Sequence, residues 1–216
     1  MAALTLVIGN KNYSSWSLRP WLALRAAGIP FEEVKVLLYT PASKAEILRW
    51  SPSGKVPALI EGDDVTWDSL AICERAAEIA PTAGLWPATA GARAFARSVS
   101  AEMHSGFAAL RNGCPMNLRA RAKRDPGPEA QADVDRIVSI WRTCRERFGS
   151  GGDFLFGRFG IADAMYTPVA TRFRTWGIPA EPTAQRYIDA VLAYPHFREW
   201  EKAALEETER IAASEP

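Results

Sequence analysis

The sequence predicts an α/β domain over residues 1–80, a linker at 81–91, and an all-α domain over 92–216. Three observations predict it. Strand-like and helix-like stretches alternate through the first 80 residues. Across 81–91 the composition turns to Pro, Thr, Ala and Gly around one apolar pair, Leu85 and Trp86, which reads as a linker carrying a hydrophobic latch. Beyond it strand signals vanish and the apolar residues recur with helical period.

Residues 5–8 read as a buried strand, and 16–27 as a helix with Leu18, Trp21, Leu22 and Arg25 in three-and-four spacing, stopped by Gly28. Residues 31–38 are strand-like again. Ser43 with Glu46 three residues on forms a capping box for a short helix to about Trp50, broken by Pro52, Ser53 and Gly54. Two short strands, 56–60 and 65–67, flank a hairpin turn at 61–64, and Asp68 or Ser69 caps a helix to about Ala80. A right-handed crossover is expected between the first two strands. In the second half, helices are expected at 92–111, 128–148, 161–176, 184–193 and 197–212. Asp163, three residues after Gly160, is assigned to capping the third of these, not to chemistry.

With 48% apolar and 24% charged side chains, the 216 residues fit a soluble globular chain and exclude disorder, collagen and coiled coil. Twenty-six basic groups against 25 acidic ones give a net charge of +1, which offers no global field for nucleic acid or anionic lipid. Any charged partner is therefore expected to be small and held locally. Arg111, Arg119, Arg121, Lys123 and Arg124 form a basic run, and Glu199, Glu201, Glu206, Glu207 and Glu209 an acidic one that reads as a solvated helix face. The start lacks the basic lead and cleavage site of a signal peptide, and no apolar stretch reaches the roughly 20 residues that span a bilayer, so a cytoplasmic location is expected. Cys73, Cys114 and Cys144 are too few and too dispersed for a disulfide framework, and with only two histidines no metal site is expected.

Three features of the first domain converge on one chemistry. The first strand delivers Ser14, Ser15 and Ser17 to a helix start, where free amides and the positive helix end favour an anion such as a thiolate; taken alone these are also ordinary caps. Val56-Pro57 sets a proline at the start of a strand, implying either an edge or a cis bond that leaves the Val56 backbone free for a peptide-like ligand. Asp68-Ser69 opens the next helix, with amides for a carboxylate and an acid for an ammonium group. Together they suit a small zwitterionic thiol peptide.

Ser14-Ser15-Trp16-Ser17-Leu18-Arg19 is similar to the Ser-Ser-Cys-Ser-Trp-Arg of the zeta class of glutathione S-transferases. With Gly54-Lys55-Val56-Pro57-Ala58-Leu59, Asp68-Ser69-Leu70-Ala71-Ile72, and residues 157–163 followed by Pro168, the chain resembles that family over nearly its whole length. The resemblance implies a thioredoxin-like N-terminal domain plus an all-α C-terminal domain, with glutathione as co-substrate. It implies that Ser14 or Ser15 stabilises the thiolate, that Val56 beside a cis Pro57 pairs with the cysteinyl unit, and that Asp68 and Ser69 hold the γ-glutamyl end. Lys44 and Lys55 are candidates for the glycyl carboxylate. The electrophile is expected between the domains, against Trp16, His104, Phe107 and Arg111, with Arg111 and Arg119 as receivers of a carboxylated substrate such as a maleyl compound. Conjugating transferase, maleylacetoacetate-type isomerase and non-catalytic binding module all remain open. Trp16, where the zeta motif has cysteine, counts against the isomerase. A homodimer is implied by the resemblance alone.

Overall fold

The computed structural model describes residues 3–216; Met1 and Ala2, where the expected first domain and its leader reading begin, lie outside the described residues. Strands β1 (Leu4–Ile8), β2 (Glu32–Lys35), β3 (Ala58–Glu61) and β4 (Asp64–Thr66) form one sheet in the order β2-β1-β3-β4. β1 runs parallel to β2 and antiparallel to β3, and β3 is antiparallel to β4. Among these strands lie helices α1 (Ser15–Ala26) and α2 (Ser43–Leu48), and α3 (Ser69–Ile79) follows β4. The side chains of β1 alternate between two cores. Leu4, Leu6 and Ile8 meet Leu18, Trp21, Leu22 and Ile72, whereas Val7 joins Val36, Ile47 and Ala58. The sheet is thus covered on both faces.

The helical part comprises α4 (Ala90–Ser105), α5 (Ala108–Gly113), α6 (Gly127–Phe148), α7 (Ile161–Trp176), α8 (Pro182–Ala193) and α9 (Pro195–Glu206). Nearly every residue of α7 is buried, and it packs on both α1 and α4, so it joins the helical layer to the sheet. Leu85 and Trp86 are buried in the common core. Asp163 accepts hydrogen bonds from the amides of Gly160 (2.9 Å) and Leu155 (3.0 Å). Gly160 replaces a capping hydroxyl for a steric reason: a Cβ there would stand 2.6 Å from the Leu85 carbonyl oxygen, which accepts from the Ile161 amide.

Several elements depart from the sequence expectation. The strand expected at 31–38 is held to Glu32–Lys35, because its partner β1 has only five residues; the Leu38 amide then turns to the Asn10 side chain. Ser43 does not cap α2. Its hydroxyl donates to the Leu37 carbonyl (2.6 Å) and accepts from the Thr40 amide (2.8 Å), closing the preceding loop. The helix expected at 92–111 breaks after Gly106, where Phe107 turns to φ 59° and Asp133 accepts from the Leu110 amide to start α5. The last helix stops at Glu206, not Ala212. The solvated acidic face holds for Glu199 and Glu206 but fails for two of its acids: Glu201 is buried between Arg174 (2.5 Å) and Arg198 (2.6 Å), and Glu207 is buried against the sheet domain. Nor does Val56-Pro57 open an edge strand, since β3 lies inside the sheet; the peptide bond is cis.

Candidate functional site

The start of α1 is built by its own hydroxyls. Ser14 is the N-cap: its Oγ accepts from the Ser17 amide (3.4 Å) and donates to Ser17 Oγ (2.8 Å), which in turn accepts from the Gly9 amide (3.1 Å). Both of Ser14's functions are therefore spent on holding β1 to α1. Ser15, the first helical residue, is also buried, but its hydroxyl has no hydrogen-bond partner among the described residues. The two serines left open by the sequence occupy different environments, and only Ser15 keeps a donor to spare at the positive end of the helix.

Side chains from distant parts of the chain hold the loop leading into these serines. The Glu207 carboxylate accepts from the amides of Lys11 (2.8 Å) and Asn12 (3.0 Å). Asn12 pairs with Asn117 (2.9 Å) and accepts from the Arg119 amide (3.0 Å), and Trp200 Nε1 donates to the Lys11 carbonyl (2.9 Å). Tyr13 OH meets the Glu215 carboxylate and Arg119 Nη2, the latter at 2.8 Å. Arg119 also donates to the carbonyls of Glu207 and Glu209, so it braces the C-terminal segment and is not a free receiver for substrate. Glu207 was not legible as a site residue, because an acid just past a helix carries no sequence mark of a partner 195 residues away.

The other residues singled out by the sequence lie at the starts of β3 and α3, on α2 and in the loop between α2 and β3. Val56 precedes β3, and its N–H and C=O take no partner among the described residues. Pro57 is buried beside it. Asp68 caps α3, accepting from the Leu70 amide (3.0 Å) and the Ala71 amide (3.4 Å), while its second oxygen meets His104 Nε2 at 2.8 Å. Ser69 is fully buried and its hydroxyl has no partner. Lys44 donates to the Gly54 carbonyl (3.3 Å), and Lys55 is exposed.

The expected electrophile wall divides. Trp16 and His104 meet edge to face with centroids 5.3 Å apart, Arg111 stands 5.3 Å from the Trp16 ring, and Arg111 Nη1 donates to the His104 carbonyl (3.2 Å). These three surround one surface between α1, α4 and α5. Phe107 is 7% exposed and packs in the common core, where its left-handed backbone makes the bend between α4 and α5. Arg19 is an addition: it is fully buried, with its guanidinium 4.3 Å from the Trp16 ring. Burial, with Arg172 and Arg111 nearby, lowers it to about 9, so it remains a cation at neutral pH. The i, i+3 spacing of Trp16 and Arg19 on one helix is the signal that finds it. The three cysteines are buried, and burial holds their thiols neutral, Cys144 pushed up to about 12, so none is a ready nucleophile.

A small mixed sheet entered by β1, a capped helix start facing a cis-proline segment, and a helical layer over that end define a thioredoxin-like domain joined to an all-α one. The family "Glutathione S-transferase, N-terminal domain" matches residues 13–79 and "Glutathione S-transferase, C-terminal domain" matches residues 127–203. A "Probable maleylacetoacetate isomerase" of Caenorhabditis elegans is 27% identical over 188 residues, covering 85% of this chain and 86% of the relative. A "Glutathione S-transferase zeta class" of Euphorbia esula is 32% identical over 154 residues, covering 71% and 66%. A crystal structure of a glutathione transferase homolog from Burkholderia gl BGR1 with bound glutathione superposes with a TM-score of 0.71 at 26% identity, covering 94% of this chain and 97% of that one. The chain belongs to the glutathione S-transferase family and is related to its zeta class.

Proposed function

We propose that the chain binds reduced glutathione across the β3 and α3 starts and that the Ser15 hydroxyl donates a hydrogen bond to its sulfur. The observation that carries this reading is the difference between the serines: Ser14 is tied to Ser17, whereas the Ser15 hydroxyl, on a residue 7% exposed at the same helix end, takes no partner among the described residues. Val56 then pairs with the peptide backbone of the ligand, while the Ser69 hydroxyl takes the γ-glutamyl carboxylate and Asp68, in exchange for His104, its ammonium group. Lys44 and Lys55 are assigned the glycyl carboxylate. A free thiol ionises near pH 8.5, and lowering that by about two units takes about 2.7 kcal/mol of preferential thiolate stabilisation. One charge-assisted hydrogen bond and a helix N-terminus supply that amount.

The thiol proton passes to solvent, and the thiolate attacks a small electrophile seated against Trp16, His104 and Arg111. In a conjugating reaction the new S–C bond forms as the leaving group departs with its electron pair. The isomerase alternative has the thiolate add to a conjugated double bond, the resulting single bond rotate, and the thiolate leave again, so glutathione is not consumed. The relative named as a probable maleylacetoacetate isomerase and the cationic Arg111 beside Trp16 favour keeping that alternative. A non-catalytic glutathione-binding module of the same fold is the third reading. A homodimer is proposed from the family resemblance alone, and light scattering tests it.

Ser15→Ala is expected to lower kcat/KM about 10- to 100-fold with an aromatic halide or a maleyl substrate, while calorimetry with glutathione shows affinity within a few-fold of wild type. Unchanged turnover removes Ser15 from the reaction. Glutathione binding without turnover of either substrate class favours the binding module.

A further inference from the structure

Three arginines, two of them against the Trp16 ring and one on α7, take part in no salt bridge among the described residues. Arg19 on α1 is fully buried, and its Nε, Nη1 and Nη2 have no hydrogen-bond partner. Arg172 on α7 is 3% exposed; its Nε donates to the Cys114 carbonyl (2.9 Å), and its Nη1 is unpartnered. Arg111 on α5 shares the Trp16 ring with Arg19. Burial first, then Arg172 and Arg111, lower the proton affinity of Arg19, and burial with Arg111 lowers that of Arg172.

The neighbouring groups do not answer this charge. Cys73 is near Arg19, but burial keeps its thiol neutral. Asp68 is committed to His104 and to two α3 amides. Asp133, the acid acting on Arg111, receives the Leu110 amide. The contact of Arg19 with Trp16 offsets only a small part of the cost, since a cation–π contact is weak beside the desolvation of an unpaired buried ion. Guanidinium groups stay protonated and present their donors in a planar fork, so they cannot relieve the strain by losing a proton at neutral pH.

We propose that Arg19, Arg172 and Arg111 form an anion-binding site beneath Trp16, between α1, α5 and α7, that takes one monovalent anion of carboxylate or halide size. Such an anion accepts from the free nitrogens of Arg19 and from Arg172 Nη1. It thereby ties α1 of the sheet domain to α7 of the helical layer, with Trp16 covering it. Two sources share this chemistry: a resident inorganic anion, or the carboxylate of an acidic electrophile that displaces Trp16. The second source rests on the catalytic reading above; the first does not.

The test is thermal unfolding of the wild-type protein, Arg19→Met and Arg172→Met in a zwitterionic buffer without added salt, then across sodium chloride, sodium acetate and sodium maleate series, all without glutathione. Wild type is expected to gain about 5–10 °C at a concentration 100 times the dissociation constant, whereas the variants follow only the general effect of salt. In the salt-free buffer Arg19→Met is expected to melt at or above wild type, because methionine fills the site without a buried charge. Equal salt responses in wild type and both variants overturn the proposal. A structure determined in bromide gives a readout independent of variant folding: an anomalous peak within hydrogen-bond reach of Arg19 supports the site, and its absence at saturating bromide, with no acetate or maleate response, overturns it. Chloride stabilisation that leaves turnover unchanged identifies a resident ion. Acetate or maleate stabilisation with competitive inhibition against the electrophile identifies the substrate's carboxylate. Failure of glutathione to bind in calorimetry bears on the catalytic reading alone.

Discussion

Ser14 and Ser15 are adjacent and equally buried, yet their substitution is expected to act on different properties. Ser14→Ala removes an N-cap and the bond to Ser17, and should cost about 1 kcal/mol in urea unfolding with little change in the thiol's acidity. Ser15→Ala should do the reverse. Asp163 gives a pH signature of its own. Burial pushes its carboxyl up to about 7 against the opposing hydrogen bonds from Leu155 and Gly160, whereas in the unfolded chain it ionises near pH 3.9. Between those values the native state holds a proton that the unfolded state releases. Its contribution is therefore full below about pH 4 and is lost as the pH rises through 7. Unfolding free energies measured across that window should fall by up to about 1.4 kcal/mol per pH unit from this group, and the slope should flatten in Asp163→Asn.

The loop at residues 10–14 owes its shape to the segment after α9. Glu207→Ala leaves the Lys11 and Asn12 amides without their acceptor, which should cost about 1–3 kcal/mol and speed hydrogen exchange at those two amides while β1 stays protected. Unchanged exchange there would show that Asn12 and Trp200 hold the loop unaided. The same contact shows what was legible in the sequence. The α1 start, the α3 cap at Asp68 and the bounds of α7 were readable, because they rest on local spacing and capping chemistry. The capping role given to Ser43 failed because its hydroxyl serves a loop carbonyl, and the acidic end was misread because Glu201 and Glu207 find partners on α7, α9 and the first loop, which no local pattern announces. The break at Phe107 was hidden by an apolar period that continues from α4 into α5.

The chain carries nearly balanced charge, and its electrostatics are concentrated where the sheet and the helical layer meet. Arg19 and Arg111 stand against the Trp16 ring and Arg172 lies on α7; Asp68 pairs with His104, which meets Trp16 edge to face; the Ser69 hydroxyl is buried without a partner among the described residues. The molecule's own thiols are buried and held neutral, and on the proposed function the reactive sulfur arrives with the ligand. On the function proposed above, a small thiol peptide and its reaction partner meet where α1 packs against α7. A pH titration of the thiolate absorbance of glutathione bound to the wild-type protein and to Ser15→Ala tests this most directly. Ionisation about two units below the free thiol's value of about 8.5 in wild type, returning toward that value in Ser15→Ala, is the predicted result. A bound thiol that ionises like free glutathione in both proteins would contradict it.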